Sequence, residues 1–230
     1  MSSSTSSMRR LSDSDAPSSL GNKLRAKRFS RFEALVSQLP RPLRILDVGG
    51  TNTFWENRGW DQHRDVEILT LNLHPEERRH ERIIPVVGDA TDLSEFADRC
   101  FDVVFSNSVI EHLFTFENQR QMASEIQRVG KTFWVQTPNY WFPMEPHFHI
   151  LGWQWMPVET RTSMLQHHRC GWRGPCSNRA EARRLVEEVR LLTAKELRMI
   201  FPTASLVAER FCGFVKSWTA IGGFGFTRPN

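Results

Sequence analysis

The chain has 230 residues, 40% of them hydrophobic, and its 30 basic and 26 acidic residues leave a formal net charge of +4. This length suits one α/β domain with an added tail or lid, and eight Trp with sixteen Phe exclude a wholly disordered chain. So small a charge excess is not typical of nucleic-acid-binding proteins, whose basic residues line a long face between aromatic residues. We therefore expect no nucleic-acid partner.

The cysteines and the N-terminal residues indicate a cytoplasmic location. The four cysteines are scattered and fit no disulfide framework, which a chain of this size does not need. No apolar run reaches the length of a membrane span. Residues 1–19 are rich in Ser, lack the apolar core of a signal peptide, and are expected to form a disordered tail. The remaining residues, 20–230, are expected to form the domain.

Residues 20–39 are predicted to form a helix, because their apolar residues fall near one stripe with basic residues opposite. Pro40 and Pro42 end it. We interpret this helix as a cover for the domain. A weak contact with a membrane surface, or with a partner protein, is the alternative.

An alternation of strands and helices follows. Pro85 cannot donate to a ladder, so the third strand is predicted at a sheet edge. The order of elements predicts a doubly wound parallel sheet. Strands are predicted at Leu43–Val48, Val66–Asn72, Ile83–Val87, Phe101–Phe105 and Thr132–Gln136, and helices near Asn52–Trp60, from Asp92 and over Glu117–Val129.

The pattern changes after the fifth strand. Residues 139–174 are rich in Trp, Phe, Pro and His and are too long for a plain connection. Residues 137–190 are therefore predicted to form a lid or an acceptor-binding insertion. A helix is predicted over Arg179–Leu192, and a capping box at Thr193 opens another. Ser205–Arg210 and Phe214–Ala220 predict an antiparallel hairpin that closes the sheet.

The first strand ends in a turn suited to a nucleoside cofactor. Gly49 and Gly50 permit backbone angles closed to other residues, and Thr51–Thr53 offers capping oxygens to the helix that follows. Such a strand, turn and helix let the backbone approach a ligand closely. The Gly-x-Gly-x-x-Gly fingerprint of dinucleotide sites is absent, which disfavours NAD.

Three segments in succession resemble the motifs of class I S-adenosyl-L-methionine (SAM)-dependent methyltransferases, and most closely the broad type 11 branch. They are Leu46–Gly49, Gly88–Ala90 and Phe101–Leu113. The resemblance implies SAM as the cofactor. It also implies a Rossmann-like methyltransferase fold of the α/β class: a doubly wound, mostly parallel sheet of seven strands, with the aromatic-rich insertion after strand 5 and an antiparallel seventh strand.

The resemblance also implies roles for the matched residues. Asp47, Gly49 and Gly50 would shape the pocket for the methionine end of the cofactor. Asp89 would accept a hydrogen bond from the adenine amino group, with the Ala90 amide beside it. Asp47 and Asp89 could instead serve only as local caps.

Further matched residues lie at the ends of the second and fourth strands. Ser106 and Asn107 would line the cofactor near its methyl group, with Glu111 and His112 just beyond. Turn formation is the alternative for Asn107 and a structural helix start for His112. Asn72 stands where the family usually has an acid that grips both ribose hydroxyls. Because charge-assisted hydrogen bonds are about twice as strong as neutral ones, we expect weaker cofactor binding.

Candidate catalytic residues follow the fifth strand, at the carboxyl edge where ligands bind in such sheets. Glu145 and His147 flank Pro146 there, and His112 is the third candidate. Methyl transfer mainly requires alignment of donor and acceptor, but a hydroxyl acceptor gains about 10²- to 10⁴-fold from a general base. A structural role for His147 is the alternative.

Residues 137–139 and 145–148 resemble, more loosely, a bacterial methyltransferase subgroup associated with cell-surface glycan assembly. That resemblance implies polysaccharide biosynthesis and a glycan or small-molecule acceptor. Trp141, Trp153 and Trp155 are then candidates to stack on sugar faces, with core or lid packing as the alternative.

We expect no resident metal. Two histidines and two cysteines lie within residues 167–176, but their spacing departs from that of structural zinc sites. The sequence thus predicts a cytoplasmic SAM-dependent methyltransferase that acts on a hydroxyl oxygen. A non-catalytic partner subunit of the same fold and a membrane-surface accessory protein are the alternatives, and the sequence predicts no oligomeric state.

Overall fold

The computed structural model describes residues 20–225, and the chain divides between Arg41 and Pro42 into two compact units. The described part of the first unit is helix α1, Leu20–Val36, in which the rings of Phe29 and Phe32 lie 5.5 Å apart. The predicted disordered tail lies outside the described residues. The role of α1 as a cover stays a prediction.

The second unit alternates strands and helices, as predicted, and adds three short 3-10 turns. Its strands are β1 (Leu43–Val48), β2 (Val66–Asn72), β3 (Ile83–Val87), β4 (Phe101–Asn107), β5 (Gly130–Pro138), β6 (Ser205–Phe211) and β7 (Phe214–Gly222). Its helices are α2 (Asn52–Glu56), α3 (Phe116–Val129), α4 (Val158–His167), α5 (Arg179–Glu187) and α6 (Ala194–Ile200). The 3-10 turns are Trp60–Gln62, Ile110–His112 and Trp153–Trp155.

The seven strands form one sheet in the order β3-β2-β1-β4-β5-β7-β6. The pairs from β3 to β5 are parallel, and β7 runs antiparallel between β5 and β6. Strand β3 lies at an edge, as Pro85 predicted. The order reverses between β1 and β4, and ligands of such sheets bind beyond the carboxyl ends of the strands at that point. The predicted fold class is confirmed.

Burial of β1 and α3 explains why these elements form where they do. Ile45, Leu46 and Val48 are buried on successive positions of β1, as expected of a parallel strand covered on both faces. Helix α3 buries Met122 and Ile126. Leu46 and Val48 pack with Met122 and Ile126 in one apolar core.

The predicted helix start at Asp92 is wrong. Residues 89–99 form turns, and the side chains of α3 take the backbone groups that a helix would pair internally. Glu125 Oε2 accepts from the Leu93 amide at 2.8 Å, and Arg128 donates to the carbonyl oxygens of Leu93 and Phe96, both at 2.8 Å. These bonds satisfy the segment without helical turns.

The insertion after β5 is a packed element with its own small core. Trp153 stacks on Phe148 with ring centroids 4.2 Å apart, and Leu165 of α4 is buried in the same cluster. Helix α5 ends at Glu187, earlier than predicted. No helix among residues 20–225 is both long and apolar enough to span a bilayer.

Candidate functional site

The turn after β1 is built around a buried acid. Asp47 is 2% exposed, and Trp55 Nε1 donates a hydrogen bond to its Oδ2 at 2.7 Å. A Cβ at Gly50 would overlap this carboxylate, and a Cβ at Gly49 would overlap Val109. Gly49 also has a φ of +79°, which disfavours any residue with a side chain. Both predicted glycines are therefore required by the packing of this turn.

Burial raises the pKa of Asp47 to about 7, although the bond from Trp55 works in the opposite direction. The carboxyl group of Asp47 packs directly against Gly50 of the turn. This position fits the predicted role of shaping the pocket.

Asn72 connects the end of β2 to the same turn. Its Nδ2 donates to the Gly50 carbonyl oxygen at 2.6 Å, and the Gly49 amide donates to the Leu71 carbonyl oxygen at 2.8 Å. The side-chain amide of Asn72 therefore holds the turn by donating a hydrogen bond, which a carboxylate could not do. Only its Oδ1 is left to accept a hydrogen bond.

Asp89 follows β3 and is exposed. Its Oδ1 accepts from the Thr91 amide at 2.8 Å and from the Thr91 hydroxyl at 2.7 Å. Its second oxygen, Oδ2, is the one available to a ligand. Ala90 beside it is buried.

Ser106 and Asn107 end β4. Ser106 is buried, and its hydroxyl donates to the Val48 carbonyl oxygen at 3.1 Å, which ties β4 to β1. Asn107 is half-buried. Ser108 then adopts a φ of +57° and redirects the chain, so that Val109 lies against Gly49. The turn after β1 and the residues after β4 are thus direct neighbours.

The predicted catalytic residues Glu145 and His147 form a bonded pair. His147 Nδ1 donates to Glu145 Oε1 at 2.7 Å, and Glu145 Oε2 accepts from the amides of His147 and Phe148 at 2.6 and 2.7 Å. Glu145 is 1% exposed. One oxygen therefore orients the imidazole and the other fixes the main chain that carries it, with Nε2 left for other chemistry.

His112 joins this pair. The rings of His112 and His147 meet edge to face with centroids 4.8 Å apart. Glu188 Oε1 lies 3.4 Å from His112 Nδ1, an ion-pair distance without hydrogen-bond geometry. Arg173 holds Glu188 with two hydrogen bonds of 2.8 and 2.9 Å.

Glu111 completes the cluster and was not among the predicted catalytic residues. Its side chain is fully buried, and Thr137 Oγ1 donates to its Oε2 at 3.0 Å. Within the described residues its Oε1 has no partner. The sequence signal was an acid between buried Ile110 and a histidine, directly after a parallel strand.

The cluster shifts the pKa values of its members in opposite directions. Burial raises the pKa of Glu111 to about 7, and the nearby His147 moderates the shift. Burial, reinforced by His147, lowers the pKa of His112 to about 4. Burial also lowers the pKa of His147, but the bond and charge of Glu145 and the charge of Glu111 outweigh it and raise the value overall.

A cavity of about 390 Å³ opens beside Glu145. Tyr140, Trp153 and Arg161 contribute to its wall. Within the described part of the chain, Trp153 Nε1 and Arg161 Nε are buried there without hydrogen-bond partners. Polar groups in this state are available to a bound molecule.

The histidines and cysteines of residues 167–176 do not come together as a metal site. Cys170 and Cys176 are buried in the insertion core, where burial raises the pKa of both thiols. His167 and His168 are exposed.

The comparisons with known proteins agree with the motifs. Residues 48–132 match the family model of a methyltransferase domain. Two Mycobacterium tuberculosis proteins, the uncharacterized proteins MT1557 (strain CDC 1551) and Rv1509 (strain H37Rv), are 37% identical over 66 residues, or 29% of this chain. The match spans 22% of the length of each relative.

One solved structure shares the fold at low sequence identity, and a second is reported beside it. A possible exported protein from Bordetella parapertussis is 13% identical, with a TM-score of 0.55 over 94% of this chain and 77% of that one. A SAM-dependent methyltransferase from Methanosarcina mazei is 13% identical, with a TM-score of 0.49 over 82% of this chain and 94% of that one. Residues 48–132 thus match a methyltransferase domain, and the ordered motifs and the seven-stranded sheet agree with the class I SAM-dependent methyltransferase fold in the second unit.

Proposed function

We propose that this protein transfers the methyl group of SAM to a hydroxyl oxygen of a small molecule or glycan. The observation that carries the proposal is the Glu145–His147 pair. A buried carboxylate fixes one imidazole nitrogen at 2.7 Å and leaves the other free, beside a cavity and at the sheet edge that carries the cofactor turn.

The cofactor roles follow from the groups left unpaired around the turn. Asn72 Oδ1 would accept from a ribose hydroxyl, and Asp89 Oδ2 from the adenine amino group beside the Ala90 amide. Asn107 would line the methyl end. Ser106, whose hydroxyl already bonds to Val48, would contribute its position rather than a hydrogen bond.

The chemical step is a displacement at the methyl carbon. The acceptor oxygen forms a bond to that carbon while the carbon–sulfur bond breaks, and its electron pair remains on sulfur as S-adenosylhomocysteine. The hydroxyl proton passes to His147 Nε2. Glu145 is then a positioning residue, because it acts through the imidazole.

The aromatic residues of the insertion support a glycan acceptor. Trp141 and Trp155 are 62% and 47% exposed, with ring centroids 6.4 Å apart. Exposed indoles so close together can stack on sugar faces. Trp153 is buried against Phe148, so its ring contributes packing.

Calorimetry with S-adenosylhomocysteine, followed by an assay of S-adenosylhomocysteine release from SAM over a panel of glycans and free sugars, tests the proposal. We expect cofactor binding and turnover with a hydroxyl-bearing acceptor. Folded protein that shows no heat at millimolar S-adenosylhomocysteine would refute it.

A non-catalytic partner subunit is the second candidate, and the Asn72–Gly50 bond favours it, because the ribose grip is reduced to one neutral acceptor. Retention of SAM through purification would argue against it. For location we infer the cytoplasm, since all four cysteines are free thiols, which suits a reducing compartment.

A further inference from the structure

We infer that Glu111, His112 and His147 bind a divalent transition-metal ion of the Zn²⁺ type. One ligand atom from each of the three side chains lies within 4.8 Å of the other two. Two imidazoles and one carboxylate form a donor set that suits zinc, with a coordination position open to a further ligand.

Glu111 gives the first independent reason. Its side chain is fully buried, yet its Oε1 has no hydrogen-bond partner among the described residues. A buried, unpaired carboxylate oxygen destabilises the folded protein. A cation between this oxygen and the two imidazoles would remove that cost.

The surroundings of the histidines give the second reason. Metal-binding histidines usually donate their other ring N–H to a carboxylate, which fixes the ring orientation. Glu145 bonds to His147 Nδ1 at 2.7 Å, and Glu188 lies 3.4 Å from His112 Nδ1. His147 therefore has one nitrogen held by a carboxylate and the other left for a metal, and His112 has a carboxylate close to one of its nitrogens.

The spacing is compatible with metal binding. Ligand atoms about 2.0–2.1 Å from a tetrahedral zinc lie roughly 3.3 Å apart. The 4.8 Å limit of the cluster therefore requires only small side-chain rotations. Because the two histidines lie on loops that follow β4 and β5, such rotations need no movement of the sheet.

A metal here would change how the acceptor loses its proton, a consequence that rests on the proposed function. An acceptor hydroxyl at the open coordination position would be acidified by the metal and release its proton to water. His147 Nε2 would then be a ligand instead of the base. Metal binding itself does not depend on this chemistry.

The test is a titration of the full chain, purified without a polyhistidine tag and stripped with a chelator, with Co²⁺ and then Zn²⁺. We expect one Co²⁺ per chain, detected by its visible d–d absorption and displaced by Zn²⁺. Glu111→Gln should weaken Zn²⁺ binding by about 100-fold or more, and Glu145→Gln by about 10- to 100-fold. Circular dichroism checks that both variants fold.

The matched control is the double change His167→Ala and His168→Ala, which removes two exposed histidines outside the cluster and should leave binding unchanged. Absence of the cobalt band in wild-type protein, or equal Zn²⁺ affinity in wild type and folded Glu111→Gln, would overturn the inference. S-adenosylhomocysteine calorimetry on the same samples separates the two proposals. Cofactor binding without metal binding removes only the metal site, and metal binding without cofactor binding removes only the proposed function.

Discussion

The turn after β1 and the cluster beside the insertion differ in how they treat buried polar groups. In the turn, Asp47 bonds to Trp55, Asn72 to Gly50 and Ser106 to Val48. In the cluster and its cavity, Glu111 Oε1 and Arg161 Nε are buried without partners among the described residues. Satisfied networks are rigid, whereas unsatisfied groups mark places where another molecule can bind. The turn is held mainly by its own bonds, although Asn52 Oδ1 at the start of α2 is also buried without a partner among the described residues. The cluster and its cavity hold more such atoms, which makes them the better place for a bound molecule.

The largest effect is expected at the cluster. His147→Gln should lower kcat by about 10²- to 10⁴-fold, because the side chain is either the base or a ligand of the metal that replaces it. The affinity for S-adenosylhomocysteine should not change. His168→Gln, at an exposed histidine of the same insertion, should have no effect. Equal loss in both variants would refute the assignment of His147.

The rigidity of the turn predicts the next effect. Gly49→Ala should destabilise the protein by about 3 kcal/mol, because it combines an unfavourable φ with overlap on Val109. Gly213→Ala is the control: its φ of +82° is similar, but no atom lies within 4 Å of the added Cβ. That variant should lose only about 1–2 kcal/mol. Urea unfolding measures both, and equal losses would show that packing of the turn contributes nothing.

The buried acid of the turn predicts a pH dependence of stability. The pKa of Asp47 is about 7 in the folded protein, against an ordinary value of 3.8 for an aspartate side chain. The carboxyl group ionises in the unfolded chain first, so the stability it contributes is full below about pH 4 and is lost as the pH rises through 7. Between pH 5 and 8 this loss should amount to about 2 kcal/mol.

Asp47→Asn removes this titration and keeps an acceptor for Trp55. Its unfolding free energy should therefore vary less between pH 5 and 8 than that of wild type. Glu95→Gln, at an exposed carboxyl group, is the control and should retain the wild-type pH profile. Identical profiles for wild type and Asp47→Asn would contradict the raised pKa.

The smallest effect is expected at the rim of the insertion. Trp141→Ala should raise the KM for a glycan acceptor by about 3- to 10-fold, the value of one stacking contact, with kcat unchanged. Trp172 is 55% exposed and its ring contacts that of His149. Trp172→Ala is the control, because it removes a similarly exposed indole away from Trp141 and Trp155. If both variants raise KM equally, the effect is not specific to sugar stacking at Trp141.

The sheet could be predicted because local patterns determine it. Apolar runs marked each parallel strand, and Pro85 alone placed β3 at an edge. The helix predicted at Asp92 failed for a non-local reason. Its capping pattern is real, but Glu125 and Arg128, more than thirty residues later in the sequence, provide the bonds that a helix would otherwise make.

Individual residues of the site could be predicted from the sequence, but their arrangement in space could not. His112 is predicted from its place in the methyltransferase-like motif after the fourth strand, and His147 from its position after the fifth strand. Their contact with Glu111 depends on the pairing of β4 with β5, which no local pattern encodes. The unpaired oxygen of Glu111 depends on the positions of several side chains and could not be predicted from sequence.

One main-chain hydrogen bond links the wall of the cavity to Glu111 of the cluster. The Arg190 amide donates to the Glu111 carbonyl oxygen at 2.7 Å, and the Arg190 guanidinium reaches Gln119 of α3 and Glu196 of α6. Arg190 also contributes to the wall of the cavity. The wall of the cavity is thus tied directly to the main chain of Glu111, so the position of this residue depends on the position of the wall.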